Sequence, residues 1–447
     1  MTIRSFVSSL AVLATSLSAF AEGYQVNTLS AKQMGMAHSG VALKLGAESQ
    51  YFNPAGMGFL DKTLDLSASV DGVMATASAT VDGVKYKTDN KVSTPMLIDA
   101  AFSIYDNFKA GVAFYAPYGS SINWTDNWPG AVLSQKVDLK VFTVQPTLAW
   151  RPIPNLSVGA GLMLSWGSVD LSKGLVTAAT ADRVLAALGV PSRFGDTTPA
   201  SVNLKGTADV AFGVNVGAMY DITPSLTVGA SFRSQMTMKV KAGDARVNYA
   251  NDLAKTVLAS LNVLNEANFK AEMPAPWVLS FGAAYKPIDK LTLAFDARLT
   301  GWNAYKSLDI EFLSDQLKPY NQHLEKNYRN AWAFSLGAQY AVTSRCDLRA
   351  GVMLDTTPVN SEYYNPETPG MTKIEPTIGL SFRPVSRLSV DVALMYVAGL
   401  GEKGATNTYP DLLAASMPTL GLPATSVFTA DYGVHAWIPA IGVSYSF

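Results

Sequence analysis

The sequence is short of charge and of cysteine. Only 15% of its 447 residues are charged, against about 25% in average soluble proteins. The net charge of −1 provides no basic surface for nucleic acid. The one cysteine, Cys346, excludes a disulfide within the chain and stands far from any position where a lipid anchor would follow a leader.

Long apolar runs are also missing after the first twenty residues. None of the later runs approaches the roughly 18 residues that a membrane helix needs. The start has a positive charge at Arg4, an apolar run over residues 6–20 and the triplet Ala19-Phe20-Ala21, which together predict a signal peptide at residues 1–21. We therefore expect an exported chain. If it lies in a bilayer without membrane helices, only a closed β-barrel pairs every backbone group.

Several segments alternate between apolar residues and small or polar residues over nine or more positions. Residues 291–299, 332–340 and 388–396 each place one apolar face opposite a polar one. A water-soluble β-sandwich alternates in the same way, so this pattern leaves two fold classes open.

The turns favour the barrel. Short connections recur along the chain, each preceded by an aromatic residue on the apolar face, and long irregular connections lie between them. This is the pattern of an interfacial aromatic belt on an outer-membrane barrel of about fourteen antiparallel strands, with the short turns in the periplasm. With the last residue of the chain, the predicted belt consists of Tyr105, Trp150, Tyr220, Tyr285, Tyr340, Phe382 and Phe447.

Two strands carry further expectations. The last strand, residues 437–447, ends in Phe447, and a terminal aromatic residue resembles the signal that the outer-membrane assembly machinery reads. In residues 138–150 the alternation slips near Thr143 and Pro146, which predicts a β-bulge there.

The segment before the first strand, residues 22–62, shows no sustained alternation. Glycine interrupts it repeatedly, and Asn53, Pro54, Ala55 and Gly56 form a compact turn motif within it. A segment this short does not fold as an independent domain. We expect it to fold inside the barrel of residues 63–447 as a small helical hatch, which we call the plug.

The chain resembles the FadL family of outer-membrane long-chain fatty acid transporters, which includes TodX-like channels for aromatic hydrocarbons. The matching residues are Asn53-Pro54-Ala55, the stretches 328–332, 335–340, 348–352 and 355–359, and the terminal strand. The resemblance implies a monomeric fourteen-stranded barrel with a plugged lumen. It also implies capture of a hydrophobic molecule in an extracellular groove, and sideways escape into the bilayer through a gap beside a kinked third strand.

Residues 108–121 are the candidate third strand. They contain Pro117, Tyr118 and Gly119, and a proline inside a strand removes a donor from the hydrogen-bond ladder. We interpret this stretch as the lateral-opening kink. The alternative is that Pro117 simply ends the strand.

Two loop segments, residues 181–188 and 251–266, have helical periodicity. If their apolar stripes face each other across an open space, they form a substrate groove above the barrel; alternatively, they merely cover each other. The candidate groove residues are Val184, Leu185, Leu188, Leu253, Val257, Leu261 and Leu264.

A fatty acid also needs a cation for its carboxylate, and Arg233 and Arg298 fall on the inward face near mid-strand. These are the candidate carboxylate partners, although such arginines ordinarily pair with inward acids, and Asp296, Asp347 and Asp391 are available on the same face. A hydrocarbon substrate would need no cation.

The sequence predicts an uptake channel for long-chain fatty acids, or alternatively for aromatic or aliphatic hydrocarbons, without a cofactor or a metal. An enzyme, a general porin and an adhesin are the rival classes. The three histidines, His38, His323 and His435, are scattered and match no local catalytic or metal-binding motif. A charged open lumen, as in a porin, does not agree with a plug.

Overall fold

A computed structural model describes residues 23–125, 127–191, 193–258, 265–417, 419 and 421–447. The predicted signal peptide lies outside these residues. One antiparallel sheet of fourteen strands closes into a ring, in which the first strand pairs with both the second and the last. Among the described residues no helix is long and apolar enough to cross a membrane.

Among the first seven strands, the length increases from β2 to β6. Two of these strands, β1 and β7, are each interrupted by two residues, so each of them consists of two segments. Their bounds are Leu64–Asp71 with Met74–Val81 (β1), Met96–Tyr105 (β2), Phe108–Asn123 (β3), Lys136–Ile153 (β4), Leu156–Gly174 (β5), Ala200–Thr223 (β6), and Leu226–Arg233 with Met236–Tyr249 (β7).

The second seven strands complete the ring. A short extra strand, Val84–Lys87, folds back on β1. The bounds are Glu266–Ala275 with Val278–Ile288 (β8), Leu291–Thr300 with Ser307–Phe312 (β9), Gln322–Glu325 with Ala331–Thr343 (β10), Cys346–Asp355 (β11), Lys373–Val385 (β12), Leu388–Gly399 with Glu402–Pro410 (β13), and Thr425–Ser446 (β14).

Within the described residues, helices lie in the plug and in the loops. Within the plug, α1 is Ala31–Met34, α2 is Ser49–Phe52, and single 3₁₀ turns span Gly46–Glu48 and Pro54–Phe59. In the long loops, α3 is Ala178–Ala187, α4 is Asp252–Val257 and α5 is Leu412–Ser416, with 3₁₀ turns at Trp302–Ala304, Asp315–Tyr320 and Ser361–Tyr363.

The aromatic belt is present. Two-residue turns join alternate strand pairs at one end of the barrel, and the seven predicted aromatic residues beside them are between 41% and 71% exposed on the outer surface. In residues 291–299 the outward set includes Leu293 and Phe295, whereas Ala294 and Asp296 are buried inside. The apolar face of the strands therefore faces lipid, as the alternation predicts.

One local expectation is wrong. β4 carries no bulge near Thr143, because its odd-numbered residues face inward without a break from Val137 to Ala149. The irregularity lies in the neighbouring strand, where Tyr115 pairs with Thr143 and Tyr118 with Val141. Two residues of β3 therefore oppose one of β4, which is a bulge. The polar side chains of β4 face the lumen, and this made its alternation hard to read.

Candidate functional site

The sheet is incomplete beside β3. The ladder between β2 and β3 ends at the pair Leu97–Tyr115, although β3 continues to Asn123. Pro117 lies in the bulge, where it brings no N–H, and every residue from Tyr115 to Ile122 is buried. A lipid-facing barrel strand would expose alternate side chains, so this part of β3 is covered on both faces.

The first described residues of the chain occupy the edge that β2 leaves unpaired. The Tyr24 carbonyl accepts a hydrogen bond from Gly119 N (2.8 Å), and Val26 N donates to the Pro117 carbonyl (2.9 Å). Gln25 forms an antiparallel bridge with Tyr118. Residues 24–26, which we call the gap strand, thus take the place of the missing neighbour.

Aromatic side chains surround Tyr24. Its ring lies 4.7 Å from that of Trp302, 5.6 Å from Tyr305 and 6.1 Å from Tyr118, all edge-on. Tyr328 packs behind Trp302 and Tyr305. We call these four partners the cage. The Tyr24 hydroxyl donates to the Pro274 carbonyl, so both ends of this side chain are held.

Beside the cage is a cavity of about 70 Å³, which we call the apolar cavity. Tyr24 and Ser120 form its wall at the gap, and most of its remaining lining is apolar. A cavity of about 150 Å³ is known to hold one benzene molecule in another protein. The apolar cavity is therefore too small for a long alkyl chain while Tyr24 stays in the cage. The other lining residues include Leu139, Val141, Val169, Met238, Val240 and Phe269.

Two further cavities lie next to one another and to the apolar cavity, as their shared lining residues show. A large cleft of about 670 Å³ opens among the extracellular loops, and a constriction of about 20 Å³, the neck, lies beneath it. Lys173 and Leu324 line both the cleft and the neck. Leu308 and Glu367 line both the neck and the apolar cavity. The three spaces therefore form one series that ends at the gap strand.

The predicted groove between the loop helices is not open. Val184 and Leu185 on α3 are buried, and they share one cluster with Val257 and with Leu413 of α5. Leu253 packs at the border of this cluster, whereas Leu188 is 58% exposed. Leu261 and Leu264 lie outside the described residues. The apolar stripes cover each other because a third helix, which the sequence analysis did not identify, completes the contact; the cleft lies beside this cluster.

The plug motif packs deep in the barrel. Asn53 is fully buried, its Nδ2 donates to the carbonyls of Val41 (2.8 Å) and Ala218 (3.0 Å), and its Oδ1 accepts from Ala55 N (3.1 Å). Pro54 begins the following 3₁₀ turn, where its missing N–H costs nothing. One side chain thus joins two parts of the plug to β6.

Glycines of the barrel wall make room for the plug. A Cβ on Gly217 would lie 2.0 Å from Asn53 Oδ1, and one on Gly229 would lie 2.3 Å from the Val41 carbonyl. Such distances are below any real contact, so even a methyl group would displace the plug. Similar close approaches occur at Gly159, Gly337, Gly351 and Gly379. We call this set the glycine seat.

The predicted carboxylate partners lie beside the plug. Arg233 donates to the Tyr51 carbonyl (3.0 Å) and stacks on the Tyr51 ring at 4.4 Å. Arg298 contacts the Met353 sulfur at 3.9 Å. Both line a small cavity of about 30 Å³ with Gln25 and His38, which is distinct from the apolar cavity.

Neither of these arginines forms a salt bridge with a carboxylate in the described part of the chain. Asp296 instead accepts from the plug N–H groups of Gly40 (2.6 Å) and Val41 (3.0 Å). Asp391 and Asp347 pair with Arg349 at 3.1 and 3.9 Å. The inward acids are thus used to hold the plug and to pair with another arginine.

Sequence reasoning missed the residues that close the path. Tyr24 is distant in sequence from its cage, and Glu367 contacts Lys326 across two loops. Within the described ranges no group of three or more His, Cys, Asp or Glu side chains is arranged to hold a metal. His323 and His435 are exposed.

Known outer-membrane proteins match this chain over most of its length. A family model described as "Outer membrane protein transport protein (OMPP1/FadL/TodX)" matches residues 11–447. The long-chain fatty acid transport protein of Escherichia coli O6:H1 is 24% identical over 409 residues, covering 88% of this chain and 90% of that protein. Outer membrane protein P1 of Haemophilus influenzae is 22% identical over 471 residues, covering 98% of each.

Solved structures show the same fold. A Pseudomonas aeruginosa FadL homologue matches with a TM-score of 0.79 at 20% identity, over 95% of this chain and 100% of that one. The Pseudomonas putida toluene transporter TodX matches with a TM-score of 0.66 at 15% identity, over 96% and 99%. The family match spans nearly the whole chain, so the chain belongs to the OMPP1/FadL/TodX family of outer-membrane transport proteins.

Proposed function

We propose that this outer-membrane protein takes up hydrophobic small molecules, with long-chain fatty acids as the main substrates, and releases them sideways into the bilayer beside β3. One observation carries the proposal: the cleft, the neck and the apolar cavity follow one another and end at Tyr24 and Ser120. Beyond these residues lies the part of β3 that has no ladder to β2.

Energetics favour a sideways exit. Each buried methylene contributes about 0.8 kcal/mol, so the roughly fifteen apolar carbons of a sixteen-carbon fatty acid give about 12 kcal/mol before ordering costs. Release into water on the periplasmic side would lose this energy. Release into lipid keeps the alkyl chain in apolar surroundings throughout. The glycine seat also leaves no room for an axial path past the plug.

Opening requires the gap strand to leave β3. Only two backbone hydrogen bonds were found between them, Gly119 N to Tyr24 O and Val26 N to Pro117 O. Withdrawal of Tyr24 from its cage would enlarge the apolar cavity and uncover the edge of β3 in one movement. Pro117 favours this edge as the opening because it cannot donate to a neighbouring strand.

The carboxylate needs a cation on the route, and we assign this role to Lys173 at the neck. Its Nζ donates to the amide oxygen of Gln322 (2.8 Å), a neutral partner, and it lines both the cleft and the neck. Arg233 and Arg298 lie beyond the cage, where Arg233 already holds the carbonyl of Tyr51. Their use by a substrate would require movement of the plug.

Uptake of neutral hydrocarbons by the same route is the second candidate. The apolar lining of the cavity favours it, because an aromatic ring needs no charged partner. TodX, which has the same fold, is a toluene transporter by its title.

We also propose a monomer in contact with outer-membrane lipid and lipopolysaccharide. On the outer face of the long strands, exposed ion pairs such as Lys241–Asp209 (2.6 Å) and Lys270–Glu311 (2.9 Å) lie beyond the apolar band, at the level of lipid head groups. At the other end, Phe447 pairs with β1 through Leu64 and exposes its ring. We propose that the assembly machinery reads this residue.

Uptake measurements test the function. Cells that carry the gene, and cells that lack it, are given radiolabelled oleate or radiolabelled toluene, and purified protein in liposomes is tested for sugar-driven swelling. We expect gene-dependent oleate uptake and no sugar flux. Gene-dependent toluene uptake without oleate uptake would favour the second candidate, and sugar flux without either would indicate a porin.

A further inference from the structure

A buried ion pair that belongs to neither the plug nor the barrel ladder lies beside the neck, which its carboxylate lines. Lys326 Nζ lies 2.5 Å from Glu367 Oε1, and their side chains are 1% and 13% exposed. Glu367 comes from the loop between β11 and β12, at residues 356–372, and lines both the neck and the apolar cavity. A carboxylate of the protein thus lies at the entrance of an apolar cavity.

Lys173 lines the same neck. The ammonium groups of Lys173 and Lys326 both lie near the Glu367 carboxylate, whereas Lys136, which also lines the neck, is paired with Asp170 (2.8 Å). Burying charges is costly unless they are paired. An exchange of one carboxylate for another would keep Lys326 paired, whereas entry of a neutral molecule would offer it no replacement.

We infer that Glu367 occupies the position of the substrate's carboxylate in the unloaded protein, and that it makes the neck selective for amphiphiles that carry a carboxylate. The inference rests on the proposed uptake function. In this arrangement the incoming carboxylate displaces Glu367 from Lys326, and the alkyl chain extends past Leu308 into the apolar cavity.

Contacts link this exchange to the gap strand. The residue after Glu367 is Thr368, whose Oγ1 is hydrogen-bonded to the Tyr328 hydroxyl (2.8 Å). The Tyr328 ring packs at 5.1 Å on Tyr305 and at 5.9 Å on Trp302, and these two rings enclose Tyr24. In this arrangement a movement of Glu367 is transmitted through Thr368 to Tyr328, which is part of the cage.

Binding to the purified full-length protein in detergent tests the inference. The probes are oleate and oleyl alcohol, which have the same alkyl chain and differ in their head group. In Glu367→Gln the internal competitor is neutral, so oleate affinity is expected to rise about tenfold, with oleyl alcohol affinity changing less than about twofold. Glu311→Gln, which breaks an exposed Glu–Lys pair on the outer surface, is the matched control and is expected to change neither.

A double variant covers the case in which Glu367→Gln destabilises the neck. Lys326→Met with Glu367→Gln removes both charges of the pair, and oleate is expected to lose the part of its preference over oleyl alcohol that Lys326 supplies, while the part that Lys173 supplies remains. Equal changes for both probes in Glu367→Gln, or an unchanged preference in the double variant, would overturn the inference. Absence of binding of either probe to the wild-type protein would instead contradict the proposed function.

Discussion

The two ends of the plug are held in different ways. From Ala31 to Phe59 the plug backbone lies against wall glycines and accepts hydrogen bonds from wall side chains, such as Gln145 to Gln50 O (2.7 Å) and Ser231 to Phe52 O (3.0 Å). The gap strand at residues 24–26 has two backbone bonds to β3 and one side chain in an aromatic cage. The segment from Ala31 to Phe59 is thus held at many points, and we propose that the gap strand, which has fewer hydrogen bonds, is the part that moves.

A pair of engineered disulfides gives the largest expected effect. Gln25 and Tyr118 are antiparallel bridge partners, so their Cα atoms lie about 4.5–5.5 Å apart, a spacing that a disulfide spans. In a Cys346→Ser background, oxidised Gln25→Cys with Tyr118→Cys is expected to lose more than about tenfold in oleate uptake, with recovery after reduction.

The control locks the other end of the plug. A Cβ on Gly442 would lie 3.4 Å from Ala31 Cβ, close to the spacing in natural disulfides. Oxidised Ala31→Cys with Gly442→Cys is expected to transport normally. Loss of uptake in both locked proteins would mean that the whole plug moves. Normal uptake in both would mean that transport does not require the gap strand to leave β3.

Straightening β3 is expected to have the next largest effect. Deletion of Ala116 together with Pro117→Thr removes the bulge opposite Phe142 and restores a donor to the strand. The ladder with β2 is then expected to extend upward and to lower oleate uptake about tenfold. Unchanged uptake, with the barrel still folded by circular dichroism, would contradict a lateral exit at this edge.

A substitution in the glycine seat tests the fixed end. Gly217→Ala places a methyl group against Asn53 and is expected to lower the free energy of unfolding by about 1–3 kcal/mol, and to let sugars leak through the barrel in liposomes. Gly72→Ala is the matched control, because its Cβ would meet nothing closer than 3.6 Å. A Gly217→Ala protein that is as stable as the wild type and does not leak sugars would show that the glycine seat can accommodate the added methyl group.

The smallest effect concerns the head group. Lys173→Met is expected to reduce oleate uptake about threefold to tenfold and to spare toluene, since only the carboxylate needs the ammonium. Arg298→Met is expected to have little effect on either compound. The reverse result, in which Arg298→Met lowers oleate uptake and Lys173→Met does not, would place the carboxylate site in the small cavity beside the plug.

The sequence predicts the barrel and the ends of its strands well because the necessary information is local. A residue such as Tyr285 or Phe382 marks a strand end through its own neighbours, and Pro117 marks an irregular strand by its missing N–H. The plug motif is also local, since Asn53 caps the turn that begins with Pro54.

The site itself depends on contacts that the sequence does not display. Tyr24 meets residues 118, 302 and 305, and no periodic pattern connects these positions. The amphipathic stripes of α3 and α4 were visible, but the five residues of α5 that cover them are too few to show a period. The alternation of the strands predicts that Arg233 and Arg298 face inward, but not their partners, which are a plug carbonyl for Arg233 and the Met353 sulfur for Arg298.

The cage has a consequence for handling the protein. If the leader is cut after Ala21 as predicted, only Glu22 and Gly23 precede Tyr24, and a Cβ on Gly23 would already lie 2.7 Å from the Trp302 ring. A purification tag fused to the new amino terminus would therefore compete for space in the interior. Tags are better inserted in one of the long loops, where they leave the amino-terminal end of the chain at its natural length.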